Sequence, residues 1–209
     1  NPSTGVITFN SAPDYETKTS YSVTVTVSDG INTATQALTI NVTNVNDNSP
    51  VITSSATFSA VENQTAVGTV TATDADGNSL AYSLSGTDAS SFSIDSSTGV
   101  ITFNSAPDYE TKTSYSVTVS VTDGSNMITK ALSININDIN EAPTWNHSAT
   151  SVSIDENLIS CCSYAASDPE GNSLNFSLTG DDASLISISS SGVLTFSSRI
   201  DYESNPSFS

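Results

Sequence analysis

Residues 3–25 read STGVITFNSAPDYETKTSYSVTV, and residues 97–119 read the same without one change, 94 positions later. So long an identity requires one structural unit of that length used more than once. The match continues less strictly: Asp29-Gly30 returns as Asp123-Gly124, and Ala37-Leu38 as Ala131-Leu132. A third, more diverged copy is visible in Glu62-Asn63 against Glu156-Asn157 and in Gly77-Asn78-Ser79-Leu80 against Gly171-Asn172-Ser173-Leu174. It shows again in Asp108-Tyr109-Glu110 against Asp201-Tyr202-Glu203. The chain therefore divides into the back half of one repeat (residues 1–47), a whole repeat (48–141) and a truncated third (142–209). It opens mid-pattern at Asn1 without Met, as a piece of a longer protein is expected to do.

Within a repeat the hydrophobic period is two. Tyr115, Val117, Val119 and Val121 alternate with Ser116, Thr118, Ser120 and Thr122, which gives a strand one apolar and one hydroxyl face. Leu80-Ala-Tyr82-Ser-Leu84 and Leu132-Ser-Ile134-Asn-Ile136 do the same. Turn signals separate these runs at Asp76-Gly77-Asn78, Ser97-Thr98-Gly99, Ala106-Pro107-Asp108 and Asp123-Gly124-Ser125. No segment carries a helical period. About seven short strands per repeat, each with one buried face, predict an all-β chain of tandem immunoglobulin-like Greek-key β-sandwiches.

The charge is lopsided. Twenty-two acids against four bases give −18, which leaves no basic stripe for nucleic acid. No apolar run approaches the roughly 20 residues that cross a bilayer. Seventeen of the 22 acids recur at fixed places in the repeat, beside turns or between repeats, while the strand faces carry Ser and Thr. Asp and Asn also favour turns by bonding their own backbone, and for Asp76-Gly77 or Asp123-Gly124 taken singly that reading is as good as any other. As an ordered set, clustered carboxylates repel one another unless a cation lies among them. Oxygen ligands on flexible loops, without His or Cys, select a hard ion, and Ca²⁺ suits them better than octahedral Mg²⁺.

Glu62-Asn63, Thr73-Asp74-Ala75-Asp76, Asp108-Tyr109-Glu110, Val121-Thr122-Asp123 and the linker Asn46-Asp47-Asn48-Ser49-Pro50 resemble the five calcium motifs of cadherin repeats, in that family's order. The second linker, Asp138-Ile139-Asn140-Glu141-Ala142-Pro143, is similar to a variant common in bacterial cadherin-like proteins. The resemblance implies sandwiches of cadherin type in an elongated rod, with calcium bound between repeats. At the first junction the implied ligands are Asp14 and Glu16, then Asn46, Asp47 and Asn48, then Asp74, Asp76, Asn78 (by its carbonyl) and Asp123. At the second they are Glu62, Asp108 and Glu110, then Asp138, Asn140 and Glu141, then Asp168, Glu170 and Asn172. Asp29 is assigned to a junction before the first residue, and Glu156, Asp201 and Glu203 to one after the last. Departures from the family pattern are Asn44 in place of Asp, a second linker one residue shorter with Glu141 for Asp, and Asp168-Pro-Glu170 for Asp-x-Asp. They lower the expectation from three ions per junction to two or three.

The remaining reactive residues point to no enzyme. Asp-Tyr-Glu could pass for a glycosidase pair, but it recurs in every copy on a sandwich with no cleft-forming insertion. His147, the only histidine, has no nucleophile arranged with it and reads as a surface residue beside Trp145, which is expected to pack in the core or linker. Adjacent Cys161 and Cys162 cannot form an unstrained disulfide; Cys161 aligns with Val67 as a buried small hydrophobe and Cys162 with Gly68 as an exposed thiol. The expected function is a calcium-stiffened rod in an extracellular or cell-surface adhesion protein, bacterial by its linker. Its partners are neighbouring repeats, and like chains or another surface. The alternative is a set of accessory repeats in a secreted enzyme or polysaccharide-binding protein.

Overall fold

The computed structural model describes residues 1–199; Asp201 and Glu203 lie outside them. The chain divides into two compact units, Asn1–Asn137 and Asp138–Ser209. Strands account for the regular structure, with only two single-turn 3₁₀ segments, Ala89–Ser91 and Ala183–Leu185, among the described residues. No helix there is long and apolar enough to cross a membrane.

The first unit begins with a hairpin of β1 (Ser20–Ser28) and β2 (Thr33–Asn41). The whole repeat follows as β3 (Val51–Ile52), β4 (Thr57–Val61), β5 (Ala66–Thr69), β6 (Ala72–Thr73), β7 (Ala81–Ser85), β8 (Phe92–Ile94), β9 (Val100–Phe103), β10 (Ser114–Thr122) and β11 (Met127–Asn137). One sheet runs β4-β11-β10-β7, with β4 parallel to β11 and the other pairs antiparallel. The other layer is β5-β9-β8, with β3 paired to β6. The period-two residues behave as their pattern requires. Val117, Val119 and Val121 of β10 and Leu132, Ile134 and Ile136 of β11 are buried with Phe92, Ile101 and Phe103 of the facing layer. Phe92, Phe103 and Tyr115 pack ring against ring at centroid distances of 4.4 to 5.4 Å.

β1 and β2 pair in the same register as their copies, Tyr21 opposite Ile40 as Tyr115 is opposite Ile134. Their burial is the reverse. Val23, Val25 and Val27 are 42 %, 40 % and 67 % exposed, whereas the corresponding Val117, Val119 and Val121 are at most 2 % exposed. Closely matching residues thus make the same ladder, and the second copy closes a core over it where the first does not.

The second unit repeats the front of the sandwich. β12 (Thr144–Trp145) pairs with β14 (Ala166–Ser167), and β13 (Ser160–Ser163) joins β16 (Val193–Phe196) and β15 (Ile186–Ile188) in the order β13-β16-β15. The register of β13 slips at Cys161-Cys162, as that of β5 does between Ala66 and Gly68. Both thiols are half-buried, so Cys162 is less exposed than its alignment with glycine suggests, and burial pushes the Cys161 thiol up to about 11. Trp145 is 63 % exposed, against the expected core or linker packing; its ring lies 5.9 Å from that of Phe176. His147 is on the surface as expected, edge-on to Tyr164.

The Thr-Gly-Val turn is governed by its glycine. Asp95 accepts hydrogen bonds from the backbone N–H groups of Ser97 and Thr98 and from the Ser97 hydroxyl, which holds its carboxyl far below the usual carboxylate range. The chain then turns through Gly99 at φ +71°, whose carbonyl accepts from Val70 N–H at 2.9 Å. A Cβ at Gly99 would overlap the Val70 carbonyl oxygen, and one at Gly192 would overlap that of Tyr164 in the same way. Gly99→Ala is therefore expected to cost about 2 kcal/mol or more, read as a lower midpoint in denaturant unfolding. Amide hydrogen exchange should separate the two identical segments. Protection is expected to be strong at Tyr115–Val119 and weak at Tyr21–Val25, because the first set is covered and the second is not.

Candidate metal centre

Three segments far apart in sequence bring carboxylates together in the first unit. Glu16, Asp47 and Asp76 each place one oxygen within 4.8 Å of the others. Each segment is shaped by local bonds before it reaches the site. In the Asp-Tyr-Glu loop, Asp14 accepts from the backbone N–H of Glu16 at 3.0 Å and from the Thr17 hydroxyl at 2.7 Å, which anchors its carboxylate in its own turn. The Thr17 contact holds Asp14 below its ordinary value. That turn leaves Glu16 exposed and directed at Asp76, and its carboxyl is raised, first by desolvation and then by the Asp76 carboxylate.

The linker is tied to the Asp74–Asn78 loop. Asn48 donates its backbone N–H to Asp76 Oδ2 at 2.8 Å and its amide Nδ2 to Asp76 Oδ1 and Asp47 Oδ1, both at 3.0 Å. The Asn48 amide is the main reason that Asp76 is lowered. Asn44, where the family has Asp, donates Nδ2 to the Asp76 carbonyl at 2.9 Å, a bond that an ionised Asp does not make. Asp74 Oδ1 accepts from Asn78 N–H at 3.2 Å, while its Oδ2 is buried without a hydrogen-bond partner. A lone buried carboxylate oxygen is costly unless a positive charge completes it.

Asp123 lies in the β10–β11 turn and is linked to Asn46 and Asn48 through the Asn126 amide. It is 8 % exposed, and its Oδ1 accepts from Ser125 N–H at 2.7 Å and Asn126 N–H at 2.6 Å. These bonds, that of the Asn126 backbone foremost, draw its carboxyl down to about 2. Asn126 adds what the sequence reading missed. Its Nδ2 donates to Asp123 Oδ2, to the Asn48 carbonyl and to Asn46 Oδ1. The signal was present, since Asp-Gly-x-Asn occurs at residues 29–32 and again at 123–126.

The residues assigned to the second junction belong to different compact units, and each half has its own order. In the first unit Glu62 is 1 % exposed and accepts from Tyr109 N–H at 2.8 Å, with Asn63 after it at φ +61°. Asp108 accepts from the Thr111 backbone and hydroxyl, both at 3.0 Å, the same turn that Asp14 makes; Glu110 is exposed. In the second unit Glu141 donates N–H to Glu170 Oε1 at 3.2 Å, and Glu170 is lowered chiefly by its contact with the Glu141 side chain. Asn172 donates its backbone to Asp168 at 2.9 Å and its amide to Asn140 Oδ1 at 2.7 Å. Asp138 and Glu156 are exposed, and Asp29 accepts from Ile31 and Asn32 N–H in its own turn.

The first-junction set is all oxygen and lies on loops, with excess negative charge and one orphaned carboxylate oxygen. Those features fit Ca²⁺. Glu16, Asp47, Asp74 and Asp76, with Asp123 and the linker carbonyls, are the groups available to hold it.

Residues 54–137 match the Cadherin domain family. Among curated relatives, human Protocadherin Fat 4 is 40 % identical over 129 residues, a stretch that takes in 57 % of this chain and 3 % of that protein. Chitinase A of Pseudoalteromonas piscicida is 35 % identical over 142 residues, 68 % of this chain and 17 % of the chitinase. The solved structure of human Protocadherin-24 EC1-2 superposes with a TM-score of 0.55 at 24 % identity, over 77 % of this chain and 81 % of that one. The chain thus spans only a small part of the curated relatives it matches, and the solved structure supports the sandwich fold. The repeat at residues 54–137 is therefore a cadherin domain, and the similarity to cadherin-repeat proteins extends beyond it to more than half of this chain.

Proposed function

We propose that residues 1–47, 48–141 and 142–209 are successive cadherin-like repeats whose junctions bind Ca²⁺ and so form a stiff extracellular rod in a cell-surface adhesion protein. The observation that carries this reading is the convergence of Glu16, Asp47 and Asp76, from three separate segments, on one small volume. Bound there, calcium supplies positive charge that cancels their repulsion and joins two repeats to the linker. The protein's own part is to aim the carboxylates. Thr17 holds the Asp14 turn, Asn48 holds Asp76, and the Asn126 backbone holds Asp123. By the repeat pattern the same role extends to Glu62, Asp108, Glu110, Asp138, Asn140, Glu141, Asp168, Glu170 and Asn172, and at further junctions to Asp29, Glu156, Asp201 and Glu203.

Binding to the folded junction alone adds stability by mass action, about 2.7 kcal/mol when free calcium is a hundred times the dissociation constant. Titration calorimetry is expected to show calcium binding in the micromolar to millimolar range, and melting with and without chelator a clear rise in Tm. Limited proteolysis supplies an independent test. The segments 42–50 and 138–143 should be cut more slowly with calcium than with chelator, and equal rates would remove the rod.

The match to a chitinase favours a second reading, in which such repeats are accessory modules of a secreted enzyme and have no chemistry of their own. Calcium-dependent self-association in sedimentation supports adhesion. A strict monomer that instead sediments with an insoluble polysaccharide supports the accessory role.

A further inference from the structure

Asn126 stands in the middle of the first junction, and it was not among the residues that the motifs assign. Its Nδ2 is 3.0 Å from Asp123 Oδ2, 3.0 Å from the Asn48 carbonyl oxygen and 3.3 Å from Asn46 Oδ1. The nitrogen carries two hydrogens and faces three acceptors, so at least one contact is shared. Two of the oxygens come from the linker and the third from the β10–β11 turn. Three oxygens converging on one positive centre is the arrangement that a small hard cation takes, and an amide NH₂ is a weak version of such a centre. It has partial charges where an ion has two full ones. The Asp74–Asn78 loop, which also holds Asn48 through Asp76, meanwhile leaves Asp74 Oδ2 buried without a partner.

Calcium binds oxygen at about 2.3–2.6 Å. A nitrogen within 3.3 Å of all three oxygens fills the concavity between them, so the amide and an ion cannot both use that trio. We infer that the Asn126 side chain is a built-in occupant of one cation position at the first junction, holding Asn46, Asn48 and Asp123 together without calcium and competing with calcium for their oxygens. The inference rests on the calcium reading of that junction and adds its regulation. One position there fills only by displacing the amide, so the junction stiffens in two steps of calcium concentration.

A purely positioning role predicts the opposite sign. If Asn126 only arranged the oxygens for the ion, deleting its amide would weaken calcium binding. If it occupies their centre, deletion strengthens binding. The two roles therefore separate in a calorimetric calcium titration of the 209-residue chain, wild type against Asn126→Ala, Asn126→Ser and Asn32→Ala. Asn32 is the same residue of the preceding copy, in the turn of Asp29, and serves as the control. Removing a net hydrogen-bond contribution is expected to tighten the weakest calcium step about fivefold or more in both Asn126 variants. Their melting temperature without calcium should fall, and the gap to wild type should close at saturating calcium. Asn32→Ala should leave that step unchanged.

The Ser variant keeps a donor too short to reach all three oxygens, so it tests the same point if Ala perturbs the turn. Equal or weaker calcium binding in both Asn126 variants, with wild type still binding, overturns this inference and leaves the junction reading intact. Absence of binding in wild type and variants alike overturns the junction reading, and this inference falls with it.

Discussion

The contact between the inner faces of β10–β11 and the β5-β9-β8 layer supports everything else in the whole repeat. Val117, Val119, Val121, Leu132 and Ile134 are each at most 2 % exposed there, and a face so covered fixes the strand register, since a slip of one residue would turn every valine outward. The β10–β11 turn that carries Asp123 and Asn126 is set by that register. So is the placement of Glu62, which follows β4 on the edge of the same sheet. The apolar interior excludes the polar residues, which lie on the outer strand faces or at the ends of the sandwich. The calcium chemistry proposed for this protein is thus a consequence of sheet packing as much as of the acids themselves.

Charge acts as a second constraint, in the opposite sense. The acids near the first junction are satisfied in part by bonds from asparagine amides and backbone N–H groups, which cost less than a bare cluster of carboxylates but do not neutralise it. Asp76 and Asp123 are lowered by such donors, while Glu16, desolvated and beside Asp76, is raised. This is the balance expected of a site that must hold together without an ion and still gain from one. Asn48 and Asn126 are the residues that make it workable, because an amide donates where another carboxylate would repel.

Much of the fold was legible beforehand. Period-two alternation at 115–122 and 132–136 marks strands where strands are found, and the repeated unit shows in the equal registers of β1–β2 and β10–β11. Turn glycines were legible as well, although the approach of Val70 O, added to the positive φ, explains why Gly99 admits no side chain. The site was less legible. Motifs named the acids but not the bonds that shape them, such as those Asp14 and Asp108 accept in their own turns, and Asn126 is a single uncharged amide outside those motifs. Trp145, expected to pack in the core or linker, is 63 % exposed, because burial depends on what the fold places against a side chain and not on its type.

Sequence by itself determined the period, the strands and the unequal charge, because each of these depends on residues close together or on simple sums. Tertiary structure alone decided burial and convergence. Residues 3–25 and 97–119 are identical, yet Val25 is 40 % exposed and Val119 is fully buried, because burial depends on what the rest of the chain places opposite. Glu16, Asp47 and Asp76 likewise share a site only because a linker and two loops end at one place in space, and no local pattern encodes a meeting between segments that lie 29 to 60 residues apart.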